Sequence, residues 1–167
     1  MSVNQQILLF LLCSIFPLKN AAYASSTCAF DKSYFTKSKS KYEANAKIIA
    51  FVWNESKKSG KGITRNGDLF SVKYWSCEHL GIHAIMLIGP YPPLDSTFIR
   101  NKIISLATII LDTVEIDILK KQLAKESFAV LSKEKKIDIK DSLYSEFYVA
   151  YSLVNDSLII EIKWYKN

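Results

Sequence analysis

The stretch Asp68–Gly89, DLFSVKYWSCEHLGIHAIMLIG, decides how this chain folds. Phe70, Val72 and Tyr74 share one parity while Ser71, Lys73 and Trp75 share the other. That period of two marks a strand with one buried face. Ile82 to Ile88 is almost wholly apolar, as expected of a strand buried on both faces, although a short buried helix has the same pattern. Glu78-His79-Leu80-Gly81 separates the two runs, and Gly81 is expected to supply the positive φ of a tight connection. Upstream, Arg65-Asn66-Gly67-Asp68 carries Asn-Gly, a strong hairpin signal, so Gly62 to Arg65 is expected to add a short third strand. Downstream, Gly89-Pro90-Tyr91-Pro92-Pro93 ends the run, because prolines cannot donate to a ladder.

The C-terminal end has the same logic. Phe147, Val149, Tyr151 and Leu153 alternate with Glu146, Tyr148, Ala150 and Ser152. After Asn155-Asp156 as the turn, Leu158, Ile160, Ile162 and Trp164 alternate with Ile159, Glu161, Lys163 and Tyr165. Two helical regions complete the chain. Tyr42 to Lys58 places Ile48, Ile49, Val52 and Trp53 on one helical face, with Lys57 and Lys58 in the last turn and Gly60 as the stop. Ile99, Ile103, Leu106 and Ile110, flanked by Ile104, Ala107 and Leu111, form a wide apolar stripe that Ser96 or Thr97 can cap. The stripe runs on to Glu126, and Asp112-Thr113-Val114-Glu115 has capping-box spacing, where a second helix can begin. Ser132 to Asp141 is charged and mixed in sign, the pattern of a solvated loop or edge. The order α-ββ(β)-α-ββ predicts an α+β fold: one domain, an antiparallel sheet of two hairpins, and helices on one face.

The first residues bear on compartment. Ile7 to Leu18 is apolar but too short to span a hydrocarbon layer of about 30 Å. Ala22-x-Ala24 then follows as a small-residue cleavage pattern, so residues 1–24 read as a signal peptide, although no Lys or Arg precedes Ile7. Neither Cys13 nor Cys28 follows the small residue expected before a lipid-modified cysteine. Removing residues 1–24, which hold one lysine and no acid, leaves 143 residues and lowers the formal charge from +6 to +5. That is one ordinary domain, 25–167, opening with a polar arm over 25–41. Cys28 and Cys77 then remain as an even pair, which in an oxidising compartment reads as one disulfide. Closing a loop of about 50 residues contributes about 4 kcal/mol in the chain-entropy model. The expected location is the periplasm or the outside of the cell, with no membrane span after cleavage.

The positive charge is nearly all lysine, with Arg65 and Arg100 the only arginines. Nucleic-acid readers favour the bidentate guanidinium, so composition and export together point away from nucleic acid and towards an acidic partner. Cys77, Glu78, His79 and His83 form the densest group of metal-capable side chains. In a strand, though, His79 and His83 lie about 13 Å apart, too far for one ion. A Cys77 nucleophile paired with either histidine must stay reduced, against the compartment. Ser59-Gly60-Lys61-Gly62 lacks the first glycine and the hydroxyl residue of a phosphate loop. No metal, cofactor or catalytic residue is therefore assigned.

A surface remains. If Phe70, Val72, Tyr74, Ile160, Ile162 and Trp164 face the core, then Lys73, Trp75, Lys163 and Tyr165 face outward, where aromatics and cations suit an acidic protein. Tyr91, in the proline-rich loop Gly89 to Asp95, is a second candidate contact. The sequence thus suggests an exported protein that works by binding, of the inhibitor or immunity type, with an exported enzyme such as a cell-wall hydrolase as the target. Two rivals remain: a small cell-envelope hydrolase using a carboxylate pair or Glu78-His79-His83, and a non-enzymatic envelope-complex or glycan-binding module.

Overall fold

The computed structural model describes residues 39–76, 80–90, 92, 95–128 and 135–166. Residues 39–43 are helical, and β1 (Ile48–Asn54), β2 (Ser59–Thr64), β3 (Leu69–Ser76) and β4 (Leu80–Pro90) then run as a meander. Two helices follow, α1 (Ser96–Ile110) and α2 (Thr113–Leu123), and carry the chain to the far edge. There β5 (Lys135–Asp138), β6 (Tyr144–Val154) and β7 (Ser157–Lys166) return towards the centre. The result is an α+β fold with one seven-stranded antiparallel sheet in the order β1-β2-β3-β4-β7-β6-β5. The neighbouring strands β4 and β7, in the middle of the sheet, pair with each other from Leu80↔Lys166 to Pro90↔Ser157.

One sheet face makes the core. Phe70, Val72 and Tyr74 of β3, Ile82, Ala84, Met86 and Ile88 of β4, Val149 of β6, and Leu158, Ile160, Ile162 and Trp164 of β7 are all buried. They meet Ile99, Ile103, Leu106 and Ile110 of α1 and Leu119 and Leu123 of α2 in one cluster. Each such side chain contributes about 1.5–3 kcal/mol by leaving water. Asp68, beside the β2–β3 turn, is buried, and Lys102 of α1 reaches it with Nζ 2.6 Å from Oδ2. That pair pins the helix to the turn.

Several expectations need correction. Tyr42 to Lys58 is a helical turn followed by strand β1, and the layout has seven strands where two hairpins and a short third strand were expected. Ile48, Ile49, Phe51, Val52 and Trp53 are β-branched or aromatic, and such side chains fit a pleated surface better than a helix. Tertiary packing reinforces the choice. Phe51 stacks on Tyr42 at 4.7 Å and lies 6.1 Å from Phe70, while Trp53 lies 6.2 Å from Tyr74. Gly60 does not stop a helix: it and Gly62 sit in β2 beneath these rings, and a Cβ on Gly62 would come within 2.5 Å of the Phe70 ring. Lys58 takes φ 47 in the turn that closes β1 onto β2.

Gly81 is not in a turn either. It lies in β4 opposite Trp75, and among the described glycines only Gly67 has a positive φ, 81°, at the β2–β3 turn. The run Ile82 to Ile88 is buried on one face only, with His83, Ile85 and Leu87 partly exposed on the other. The cap of α1 is Asp95, not Ser96 or Thr97, with Oδ1 accepting from the Phe98 N–H at 2.8 Å. Of the two readings of the charged stretch Ser132 to Asp141, loop or edge, its part Lys135–Asp138 is an edge, strand β5. Other expectations stand. Glu115 accepts from the Asp112 N–H at 3.1 Å as α2 begins, and Asn155 and Asp156 take φ 49 and 61, the geometry of a type I′ hairpin.

Candidate functional site

The sheet face away from the helices carries the candidate site. Alternation sends the odd-numbered residues of β3, β4 and β7 to this face, and register then lines them up in rows. One row reads Trp75, Gly81, Tyr165, Glu146. The next reads Lys73, His83, Lys163, Tyr148, Asp138. The third reads Ser71, Ile85, Glu161, Ala150, Lys136. Lys73, Trp75, Lys163 and Tyr165, widely separated in sequence, therefore share one corner of one face.

Gly81 makes that corner possible. A Cβ there would lie 2.5 Å from Cδ1 of Tyr165 and 2.6 Å from Cε1, so the Tyr165 ring occupies the space that any other residue would fill. Lying across Gly81, the ring reaches Trp75 at 5.4 Å between centroids. Trp75 in turn stacks on His83 at 6.2 Å, the planes 15° apart. Cations border these rings: Lys73 Nζ is 5.4 Å from the Trp75 ring, Lys163 Nζ 5.1 Å from Tyr165, and Lys136 Nζ 4.3 Å from Tyr148.

Polar contacts hold the group in place. Glu161 Oε1 accepts from the Tyr148 hydroxyl at 2.5 Å and lies 3.0 Å from His83 Nε2. His83 and Glu161 form an ion pair when the imidazole is charged. His83 is the main influence holding the Glu161 carboxyl below its usual range; partial burial opposes it, and Tyr148 and Lys163 assist. Lys163 loses some hydration, which alone would lower its pKa. Glu146, 2.9 Å away, outweighs that loss, so the ammonium is held above its usual range. Lys136 pairs with Asp138 at 3.0 Å. Lys73 has no acidic partner among the described residues, so its charge is less compensated than that of Lys163 or Lys136.

Sequence reasoning missed the other half of this face. A fourth row runs Ala50, Ile63, Leu69, Leu87, Ile159 across five strands, with Ile85 beside it. Ile63, Leu69, Ile85, Leu87 and Ile159 are partly exposed, and no described element packs over them. The signal was present: once Phe70, Met86 and Ile160 are given to the core, the opposite parity still holds Leu69, Ile85, Leu87 and Ile159. An apolar band thus adjoins an aromatic and cationic corner on one continuous surface.

Other candidates fall elsewhere. Tyr91, Cys28, Cys77, Glu78 and His79 lie outside the described residues, as do residues 1–24, expected to be a signal peptide, the expected Cys28–Cys77 disulfide and most of the polar arm. Among the described residues no three His, Cys, Asp or Glu side chains converge as a metal site, and no helix is long and apolar enough to cross a membrane. No protein-family model matches the chain, no curated protein matches it, and no solved structure matches its fold.

Proposed function

We propose that this chain is an exported binding protein, of the inhibitor or immunity type, whose outer sheet face docks an acidic exported protein such as a cell-wall hydrolase. One observation carries the proposal. The parity opposite the core still carries Leu69 of β3, Ile85 and Leu87 of β4 and Ile159 of β7, and no described helix covers that face, so these residues and Ile63 stay partly exposed beside Trp75 and Tyr165. Water is a poor long-term neighbour for such a band, and an apolar patch with an aromatic anchor and a polar border is the anatomy of an interface. Lys73 and Lys163 favour a partner that is acidic where it meets the corner. Export supplies the compartment, on the strength of residues 1–24.

The rival reading, a small envelope hydrolase, rests on the approach of His83 to Glu161. Glu161, held below the usual carboxylate range, would serve as a base and not as an acid. The test is affinity capture with the purified protein, then titration against the captured protein. The proposal expects a stoichiometric complex weakened by Trp75→Ala, Lys163→Glu and Leu87→Asp. No complex, together with degradation of peptidoglycan by the protein alone and its loss in Glu161→Gln, would establish the hydrolase instead.

A further inference from the structure

The two edges of the sheet are built differently. β5 is four residues long and three of them are charged: Lys135, Lys136 and Asp138. Those are the usual devices that stop an edge from pairing with another chain. β1 is neither short nor charged, and its one protective irregularity is a bulge between Ile48 and Ala50 at its start. Its seven residues, Ile48–Asn54, include no charge and no proline. Its outer side pairs with no described strand, and two of the large exposed apolar side chains of the fold sit on it, Ile49 at 60% and Val52 at 71%. An edge this long and this apolar is a template for a further strand.

We infer that β1 pairs antiparallel with β1 of a second copy, making a two-fold dimer with a continuous fourteen-stranded sheet. What selects a second copy is that the edge complements itself. The bulge between Ile48 and Ala50 interrupts the first part of the strand, leaving Ala50 to Asn54 as its regular portion. A two-fold axis normal to the sheet at Val52 sets Val52 against Val52 of the copy, Phe51 against Trp53, and Ala50 against Asn54. Directly opposed residues in an antiparallel pair share a face, so this register keeps faces matched. Val52, beside Lys61 in register, lies on the outer face, and each Val52 removes the other from water. Phe51 and Trp53 lie on the inner face against Tyr42, Phe70 and Tyr74, so the register joins two aromatic clusters. No charged residue is opposed by a like charge across the regular portion. Because the axis is normal to the sheet, the dimer turns both outer faces to the same side, giving two docking surfaces to one partner array.

The experiment is sedimentation of the purified protein over a concentration series. The expected result is a mass twice that of the chain. Val52→Lys should weaken association by on the order of tenfold or more, because the axis sets two lysines directly opposite each other. Val114→Lys, at another exposed valine, on α2, should leave it unchanged. Amide exchange supplies a readout free of substitutions: protection of residues 50–54 should rise with concentration. A protein that is monomeric throughout, or a dimer indifferent to Val52→Lys but lost in Leu87→Asp, overturns the inference. So does β1 protection that arises only when a different protein is added. None of these results bears on outer-face docking except the Leu87→Asp case, which would make that face the dimer contact.

Discussion

Replacing Gly81 by alanine should separate the Trp75–Tyr165 corner from the fold. Gly81 does not have a positive φ, so alanine costs nothing in backbone strain. The added Cβ would sit 2.5 Å from Cδ1 and 2.6 Å from Cε1 of Tyr165, and 3.2 Å from the Trp164 carbonyl oxygen. Ordinary carbon contacts begin near 3.5 Å, so the ring must retreat by about 1 Å or swing out. Either movement breaks the 5.4 Å contact with Trp75. Losing an aromatic pair costs about 0.5–1.5 kcal/mol, and replacing glycine in a strand interior returns about 0.5–1 kcal/mol. The net change in stability should therefore lie within about 1 kcal/mol, a few degrees in Tm for a domain of this size. Partner affinity should fall far more, by about 2 kcal/mol or roughly thirtyfold if the Trp75–Tyr165 pair is a binding hot spot. Urea titration measures the first quantity, and ring-to-ring nuclear Overhauser contacts report the displacement. A loss of stability above about 3 kcal/mol, or an undisturbed Trp75–Tyr165 contact, would refute the reasoning.

Lys102→Ala strands the buried Asp68 carboxylate and should cost about 3–5 kcal/mol by chemical denaturation, with Asp68→Asn on top restoring much of it; a loss below about 1 kcal/mol would mean the pair is solvated. Asp95→Ala removes the α1 cap and should cost about 1 kcal/mol, read the same way, while no change would assign the capping elsewhere. Glu161 has a folded pKa below its ordinary value, so its contribution is present above that ordinary value and is lost as pH falls through the folded value. Glu161→Gln should therefore flatten the acid side of the stability profile, and identical profiles would show that the His83 contact does not bias the carboxyl.

Strands were legible wherever one side chain in two was apolar. Phe70, Val72 and Tyr74, and the hairpin around Asn155-Asp156, needed only the period of two and a turn that tolerates positive φ. The corner Lys73, Trp75, Lys163 and Tyr165 followed from the same parity. β1 was not legible, because Ile48, Ile49, Val52 and Trp53 fit a helical face as well as a strand, and the bulge at Ile49 breaks the alternation. What decides it is tertiary: Phe51 and Trp53 need the glycine floor of β2, in the next strand. Gly81 misled for a related reason. From sequence a glycine after an apolar break suggests a turn, whereas here it makes room for a ring from β7. The apolar band escaped notice because a run such as Ile82 to Ile88 implies two covered faces, and only the structure reveals which face the described helices cover.

The central claim is that a partner covers the outer face, and hydrogen exchange of the protein alone and in complex with its captured partner tests it most directly. The account expects new protection centred on β3, β4 and β7, lost together with affinity in Leu87→Asp and Trp75→Ala but retained in Val114→Asp. Protection confined to the helices or to the β5 edge, with affinity unchanged by those two substitutions, would contradict it.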